Sequence, residues 1–420
     1  MGVKGLVALF DTLGNMSSEM TFADLPPGTR ICIDTSGFIY CSLLKNSQNH
    51  VTGILNLITM LFKHKHQPLF VFDGQPPKEK QFVLDERKRV RDKAKEKLDD
   101  LSAIIYKFET EMLEETHRQI IRAEPTDQIA DEHLFPPLDG CKTPEQGCAV
   151  SASLNIAELQ QSLEKERKKS IGLQNQQIQE IKQLLDMFGV PYVHTNKEAD
   201  AICSKLVTYG FADYCLGNDM DMLVYGCPRV IRNMSFRDDS FTLYDLNHIL
   251  SNLQLTHDEF VDMCILMGCD YTPRLLGIKP MLAYELIIQY HTIENIISSI
   301  DEINTNIGIV SPGKYIKVGP AFDFIKTRAV YAAQDITSET ITNLVGIGYT
   351  SIIQTCLLVV QNRHNYNRML SFCKKHCHGL NTTLISKKID TILTSLIPDQ
   401  EIDYIHQRII HPKSRRKLDF

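Results

Sequence analysis

Carboxylate side chains occur in two closely spaced pairs within one stretch of the chain. Glu198 and Asp200 form the first pair and Asp219 and Asp221 the second, each with one residue between its members. Like charges held this close repel each other unless a cation lies between them. A ligand set of carboxylate oxygens alone favours Mg²⁺ or Mn²⁺ over zinc. The two pairs therefore predict a divalent-metal site.

Three further acids are expected at the same place. An apolar run at residues 31–33 leads into Asp34, and a second run at residues 68–74 contains Asp73 near its end. Asp270 lies in a helical stretch. Strands that alternate with helices predict a mainly parallel sheet, whose carboxyl ends meet at one edge. We therefore expect a common cluster of Asp34, Asp73, Glu198, Asp200, Asp219, Asp221 and Asp270.

The local patterns around the two pairs predict how their side chains point. A helix is predicted over residues 201–209, so Glu198 and Asp200 should straddle its start, because positions two apart in a helix diverge. A strand is predicted over residues 212–216, and we expect its extended continuation to reach Asp221. In an extended segment Asp219 and Asp221 point to the same side.

Such a cluster suits phosphodiester hydrolysis. Two Mg²⁺ ions held ~3.5–4 Å apart can activate a water and stabilise the leaving oxygen. Mg²⁺ usually keeps several waters, so some of the acids need only hold those waters. Lys80 and Arg87 would neutralise the charge that develops on the scissile phosphate. Acids, metals and cations together predict a nuclease.

A charged helix is predicted directly after Asp73, over residues 78–122. Lys80, Arg87, Arg91 and Lys95 recur at steps of seven and four and so lie near one helical face. A solvated helix with pairs of opposite charge is the usual interpretation of such a run. Because this helix begins beside the predicted carboxylate edge, we instead favour a helix whose basic face binds phosphate.

Bulk composition narrows the class of protein. The chain has 420 residues, 43% of them apolar, which suffices for a large core and two or three units. No apolar run approaches the ~18 residues of a membrane span, so we expect no membrane partner and a place inside the cell. The twelve cysteines, spread singly, are interpreted as reduced core residues. A net charge of −6 argues against indiscriminate binding of polyanions but not against a local basic face.

Six motifs give the sequence a family resemblance. They read MGVKGL, IDTSGFIY, VFDGQPPKEK, VPYVHTNKEADA, GNDMDMLVYG and LMGCDYTPRLLGI. In this order they resemble the flap endonuclease and xeroderma pigmentosum G family of structure-specific nucleases. The resemblance implies a PIN-like 5′-nuclease fold, with a parallel sheet flanked by helices, a helical arch insertion and a helical C-terminal region. The diverged insertion and the short tail would suit a family member from a large DNA virus as well as one from a divergent eukaryote.

The same resemblance implies roles for individual residues. The seven acids would hold two Mg²⁺ ions, for which Mn²⁺ would be able to substitute, and Lys80 and Arg87 would be the catalytic lysine and arginine. Tyr40 would stack on the base next to the cut, and Gly2 would pack the N-terminus near the site. The residues expected to contact DNA are Gly2, Tyr40, Arg91, Gly277, Ile278 and Lys279.

The predicted organisation has five parts. They are an N-terminal nuclease region at 1–98, an arch or cap insertion with its linker at 99–187, an internal nuclease region with a DNA-binding hairpin at 188–300, a helical C-terminal region at 301–400 and a basic tail at 401–420. Within the insertion, residues 123–154 are rich in Pro, Gly, Asp and Ser, which predicts a loop. A second polar helix is predicted over residues 156–187.

Departures from the family pattern limit these expectations. Asp200 stands where the family usually has a longer glutamate, so it is expected to reach the metal through water. The hairpin reads Gly277-Ile278-Lys279-Pro280 and lacks the second glycine of the family, which leaves potassium binding open. The C-terminal KLDF lacks most of a sliding-clamp box, so clamp binding is not expected. The Cys/His run at residues 373–378 is interpreted as plain helix rather than as a zinc site.

These features predict a Mg²⁺-dependent nuclease of the 5′ flap endonuclease and 5′ exonuclease type. Its expected partner is branched or nicked double-stranded DNA with a 5′ single strand, cut by a monomer during replication, repair or recombination. Two alternatives stay open: a catalytically weak DNA-junction scaffold and a 5′→3′ exoribonuclease. The basic residues of the tail favour the nucleus, or the host nucleus for a viral protein, with the cytoplasm as the alternative.

Overall fold

A seven-stranded sheet forms the centre of the computed structural model, which describes residues 2–44, 50–122, 145–310, 315–332 and 363–395. The strand order is β1-β7-β6-β5-β2-β3-β4. The strands are β1 Ser18–Thr21, β2 Arg30–Asp34, β3 Gln67–Phe72, β4 Tyr192–His194, β5 Tyr214–Leu216, β6 Arg229–Arg232 and β7 Ser240–Asp245.

The central part of the sheet is parallel, as predicted. Strands β6, β5, β2, β3 and β4 run in one direction, whereas β7 pairs antiparallel with both β6 and β1. From β2 the chain proceeds to β3 and β4 on one side, and then returns to place β5 and β6 on the other side. The strand order therefore reverses between β2 and β5, where α/β sheets usually bind their ligands.

The described part of the chain also forms sixteen helices. They are α1 Leu6–Leu13, α2 Thr35–Leu44, α3 His50–Lys63, α4 Gln81–Arg122, α5 Glu145–Ser170, α6 Asn175–Phe188, α7 Ala199–Thr208, α8 Asp221–Val224, α9 Leu246–Leu253, α10 His257–Met267, α11 Pro280–Tyr290, α12 Ile293–Ser298, α13 Ile300–Val310, α14 Phe324–Ala332, α15 Arg363–His376 and α16 Thr382–Ser395. Short 3₁₀ turns occur at Phe22–Asp24 and Lys78–Lys80.

Alternating side chains of the strands divide the core in two. Ile31 and Ile33 of β2 pack on the face that is covered by α2, α3, α6, α15 and α16. Cys32, which lies between them, faces the layer formed by α1 and α7 to α14. This alternation follows from the two-residue period of a strand, and burial on both faces explains why β2 and β3 read as continuous apolar runs.

The chain forms two compact units. One combines Met1–Val83 with Leu173–Phe420 and contains the sheet, and the other is Leu84–Gly172. The second unit overlaps the insertion predicted at 99–187 but begins earlier, at Leu84, and ends earlier, at Gly172. It contains most of α4 together with α5, and its charged surface carries pairs such as Arg118–Glu114 at 3.4 Å. The predicted boundaries at residues 98, 187, 300 and 400 stay predictions, and the tail at 401–420 lies outside the described residues.

Several local predictions differ from the structure. The polar helix predicted over residues 156–187 is two helices, α5 and α6, because the helix is interrupted at residues 171–174, which include Gly172. The loop predicted over residues 123–154 is wrong from Glu145 on, where α5 begins, and its earlier part lies outside the described residues. The strand predicted to reach Asp221 already ends at Leu216, and Asp221 begins α8. The Cys/His run is helical only in part: α15 ends at His376, so Cys377 and His378 follow the helix. Cys373 and Cys377 are buried. Among the described helices, none is both long and apolar enough for a transmembrane span.

Candidate active site

The acids lie at the carboxyl ends of the central strands. Asp34 is the last residue of β2, Asp73 directly follows β3, and Asp219 lies between β5 and α8. Glu198 caps α7 and Asp200 lies in its first turn, so the first pair does straddle a helix start. The remaining two acids are Asp221 at the start of α8 and Asp270 after α10.

Backbone amides hold two of these carboxylates in place. The Gly37 N–H donates to Asp34 Oδ1 at 3.0 Å, and the Ala199 N–H donates to Asp73 Oδ1 at 2.7 Å. A Cβ atom on Gly37 would lie 2.0 Å from Asp34 Oδ2, so only glycine permits this close approach. The start of α2 and the start of α7 thus each orient one acid.

Mutual repulsion marks the acids as one electrostatic cluster. Burial, followed by the charges of Asp73 and Asp219, raises the pKa of Asp34 to about 7. Burial and the charges of Asp34, Asp219 and Asp73 hold the pKa of Asp200 well above its usual range. Burial and the neighbouring acids, Asp219 first among them, do the same for the pKa of Asp221. The carboxylates of such a cluster repel one another, and a bound cation would neutralise that repulsion.

Two carboxylate oxygens in this cluster suit a hard cation. Within the described part of the chain, Asp200 Oδ1 and Asp221 Oδ1 are buried and make no hydrogen bond. Buried polar atoms are rarely left without a partner unless an ion or water completes them. No three carboxylate oxygens of the described residues lie within 4.8 Å of one another, a spacing that fits an ion that keeps several of its waters.

Lys80 places a positive charge among the acids. It ends the 3₁₀ turn Lys78–Lys80, is only 8% exposed, and its Nζ donates to Glu198 Oε1. The same Nζ lies 3.6 Å from Asp270 Oδ2. Burial alone would lower the pKa of Lys80, but the charges of Glu198 and Asp270 raise it well above its usual value. The ammonium group therefore stays protonated.

Two tyrosines that the sequence reasoning missed complete this arrangement. Tyr271 donates its hydroxyl proton to Glu198 Oε2 at 2.6 Å, and its hydroxyl also pairs with that of Tyr225 at 2.6 Å. Lys80 and Tyr271 together occupy both oxygens of Glu198, so in this structure the carboxylate positions the lysine. The position of Tyr271 directly after Asp270 was the one available signal.

Gly2 lies against the second carboxylate pair. Its φ is +78°, and a Cβ atom there would come within 1.9 Å of Asp219 Oδ1 and 2.6 Å of Asp221 Oδ1. The Lys4 N–H, which donates to the Gly268 carbonyl at 3.0 Å, fixes the segment. The structure thus brings the N-terminus to the acids, while its function there stays a prediction.

Tyr40 belongs to α2, the helix that starts immediately after Asp34. It is half-buried and lines a cavity of about 440 Å³ together with Phe38, Asn218 and Phe236. Asn218 directly precedes Asp219, so the cavity adjoins the carboxylate edge. A stacking role for Tyr40 stays a prediction.

The predicted DNA-binding hairpin is a turn at the start of α11. Gly277 has φ +88°, and a Cβ atom there would come within 2.3 Å of the Tyr315 carbonyl oxygen. Ile278 is buried in the core, whereas Lys279 is exposed and precedes Pro280 at the first helical position. Only the backbone and Lys279 therefore present polar groups to solvent.

Arg87 and Arg91 belong to the other compact unit, on α4. Their predicted parts in catalysis and DNA binding stay predictions.

Comparison with known proteins agrees with this architecture. Residues 1–94 match the XPG N-terminal domain and residues 189–270 match the XPG I-region. The flap endonuclease 1 of Cryptosporidium parvum is 26% identical over 416 residues, which cover 91% of this chain and 71% of that protein. Across eight such relatives, the chain spans between 38 and 71% of their lengths.

Solved structures share the fold. The catalytic core of Rad2 in complex with DNA substrate has a TM-score of 0.58 at 19% identity, covering 94% of this chain and 100% of that one. The Holliday junction-resolving enzyme GEN1, in complex with product DNA and a Mg²⁺ ion, has a TM-score of 0.57 at 14% identity, covering 96% of this chain and 82% of that one.

The sheet and the acids at its edge define an α/β protein of the PIN-like 5′-nuclease fold. Within this fold class, the chain matches the XPG N-terminal domain and the XPG I-region. Together with the similarity to flap endonuclease 1, these two matches support a nuclease of the flap endonuclease and XPG family.

Proposed function

We propose that the protein is a metal-dependent, structure-specific DNA nuclease that hydrolyses phosphodiester bonds. One observation carries the proposal: seven carboxylates converge on the carboxyl edge of the sheet, with the buried ammonium group of Lys80 among them. Buried carboxylates repel one another unless cations neutralise their charge. Groups with such perturbed pKa values cluster at functional sites. The family generally uses divalent metal ions, which agrees with the donor set.

The residues that would hold two Mg²⁺ ions are Asp34, Asp73, Glu198, Asp200, Asp219, Asp221 and Asp270. Asp200 and Asp221 each offer a buried oxygen without a hydrogen-bond partner among the described residues, and Glu198 would bind through water because its oxygens already contact Lys80 and Tyr271. When bound, Mg²⁺ would supply an activated water and neutralise charge on the leaving oxygen, and Mn²⁺ would be able to replace it.

The protein side chains would act by charge and position. Lys80 keeps its proton beside Glu198 and Asp270, so it can neutralise negative charge that develops on a phosphate at the site. Glu198 and Tyr271 hold its ammonium group in one place. Arg87 would contribute a second cation from the helical unit. No serine or cysteine nucleophile is required for this reaction.

The DNA would be held around the acids. Gly2 and Tyr40 lie beside the carboxylate edge, and Gly277, Ile278 and Lys279 form the turn that begins α11. First-turn amides of a helix bind phosphate readily, and Lys279 can contact the backbone directly, with or without potassium. Arg91 would grip phosphate from α4. The Rad2 and GEN1 structures with DNA support a DNA substrate for this fold.

A substrate panel tests the proposal. The full chain is incubated with labelled flap, nicked, bubble and Holliday-junction DNAs, with Mg²⁺, with Mn²⁺ and with EDTA, and the cut is mapped relative to the junction. We expect metal-dependent cutting of DNA with a 5′ single strand. The engagement of Glu198 by Lys80 and Tyr271 favours the scaffold alternative, which predicts binding without cutting. Comparable cutting of RNA would instead indicate an exoribonuclease.

The cellular setting is part of the same proposal. We place the protein in the nucleus, or in a host nucleus, as a monomer that acts in DNA replication, repair or recombination without a sliding clamp. Fluorescence microscopy of the tagged full chain, and its mass in solution, check these points.

A further inference from the structure

Three buried thiols meet directly behind the carboxylate edge. The Sγ atoms of Cys32, Cys203 and Cys215 all lie within 4.8 Å of one another, and each residue is 0% exposed. Among the residues that the structure describes, this is the only set of three potential metal-ligand atoms so close together. We call these residues the thiol triad.

The fold brings the thiol triad together from distant parts of the sequence. Cys32 of β2 pairs with Cys215 of β5 in the parallel register, and Cys203 lies on α7, which covers the same face. Met222 adds a fourth sulfur, since its Sδ lies 3.3 Å from Cys215 Sγ. The Cys32 thiol also lies within hydrogen-bond distance of two carbonyl oxygens, 3.5 Å from that of Cys203 and 3.4 Å from that of Tyr214. Four sulfur atoms thus converge in an apolar layer of the core.

We propose that the thiol triad is a binding site for a soft metal ion, with monovalent copper as the ion that it fits best. Three sulfur ligands that surround one metal in a plane, each ~2.3 Å from it, lie about 4 Å from one another. The three Sγ atoms lie within 4.8 Å of one another, so the triad is compact enough to be brought onto a single ion.

The donor set selects copper over zinc. Thiolate and thioether ligands together favour a soft ion such as Cu⁺, whereas structural zinc sites use thiolates alone or thiolates with imidazole. Met222, whose Sδ lies 3.3 Å from Cys215 Sγ, supplies a thioether. Each thiol that binds as thiolate releases its proton to solvent. The site would therefore differ from the hard-oxygen cluster in the ion that it takes.

Metal in the thiol triad would tie together the elements that carry the acids. Cys32 lies two residues before Asp34 on β2, and Cys203 lies three residues after Asp200 on α7. Cys215 lies on β5, which leads to Asp219. An ion bound only by the folded state stabilises that state. The inference concerns copper binding alone and does not depend on nuclease activity.

An anaerobic titration tests the site. The reduced full-length protein is titrated with Cu⁺ against a competing chelator, and the ultraviolet thiolate-to-copper absorption is followed for the wild type, Cys215→Ala and Cys264→Ala. Cys264 is equally buried and lies outside the thiol triad, which makes it a matched control. We expect Cys215→Ala to lose one equivalent of bound copper that Cys264→Ala retains. Equal uptake by the wild type and Cys215→Ala would overturn the proposal, as would preferential retention of zinc.

A measurement on the wild type guards against a variant that fails to fold. X-ray absorption of the protein loaded with one equivalent of copper reports the atoms bound to the ion. Sulfur ligands alone are expected. Nitrogen or oxygen ligands would place the ion elsewhere and overturn the assignment.

Discussion

Lys80 and Glu198 form a buried ion pair inside the cluster of acids, although 118 residues of sequence separate them. The lysine follows β3 by way of a 3₁₀ turn, and the glutamate caps α7. A buried charge that loses its partner is costly, so the pair orders this corner of the site. The second glutamate oxygen, held by Tyr271, fixes the pair in one orientation.

Replacing Lys80 should impair catalysis more than binding. Removing a group that stabilises developing charge typically costs about 10²–10³ in rate, so Lys80→Ala should slow single-turnover cleavage by roughly 10²-fold while leaving the DNA dissociation constant nearly unchanged. Lys78→Ala is the matched control, because Lys78 lies in the same turn but is exposed. An equal loss of cleavage rate in Lys80→Ala and Lys78→Ala would show that Lys80 has no specific role in catalysis.

Gly2 should be intolerant of any side chain. In Gly2→Ala the new methyl group would collide with Asp219 and Asp221, so cleavage should fall. Gly14 has a similar φ, +73°, but open space around its Cβ position. Gly14→Ala therefore bears comparable backbone strain and should keep wild-type cleavage rates. A normal rate for Gly2→Ala would contradict the proposed contact.

Replacing Asp200 by Asn should raise the stability of the fold and abolish its activity. Because burial and the neighbouring acids raise its pKa, Asp200→Asn should increase the free energy of unfolding in EDTA by about 0.5–2 kcal/mol. The same variant should lose Mg²⁺-dependent cleavage. Urea unfolding in EDTA measures the first effect, with Asp11→Asn on the exposed surface of α1 as control. A destabilised Asp200→Asn variant would argue against the repulsion.

The pair Arg30–Asp213 should give a pH-dependent contribution to stability. It joins the amino ends of β2 and β5, with Arg30 Nη2 at 2.9 Å from Asp213 Oδ1. Burial by itself would raise the pKa of Asp213, but hydrogen bonds from Arg30 outweigh burial and lower this pKa overall. A depressed acid stabilises the fold above its unfolded pKa of about 3.9 and loses that effect as the pH falls through its folded pKa.

Asp213→Asn should therefore cost on the order of 1 kcal/mol at neutral pH, since the pair is partly exposed. The difference from the wild type should shrink as the pH is lowered below about 4. Chemical unfolding at a series of pH values measures it. A difference that stays constant with pH would indicate lost packing instead.

Sequence reasoning predicted the framework of the site well. Continuous apolar runs that end on Asp34 and Asp73 identify buried parallel strands, and such strands must bring their carboxyl ends together. The start of α7 between Glu198 and Asp200 was likewise predictable from helix geometry. These features depend on local patterns, which a sequence displays directly.

Features that depend on tertiary contact were not predictable. The segment from β5 to Asp221 was predicted to be extended. In the structure β5 ends at Leu216, and Asp221 begins α8. Tyr271 reaches Glu198, and Cys32 reaches Cys203, only because the fold joins segments far apart in sequence. Single tyrosines and cysteines carry no periodic signal.

The most direct test of the account is single-turnover cleavage of a labelled 5′-flap DNA by the wild type and by Asp221→Asn, with binding measured on the same DNA. Asp221 is 1% exposed and carries a buried oxygen that has no partner among the described residues. We expect Mg²⁺-dependent cutting by the wild type, and loss of cutting with retained DNA binding in the variant. Undiminished cleavage by Asp221→Asn would contradict the assignment of the carboxylate cluster as the active site.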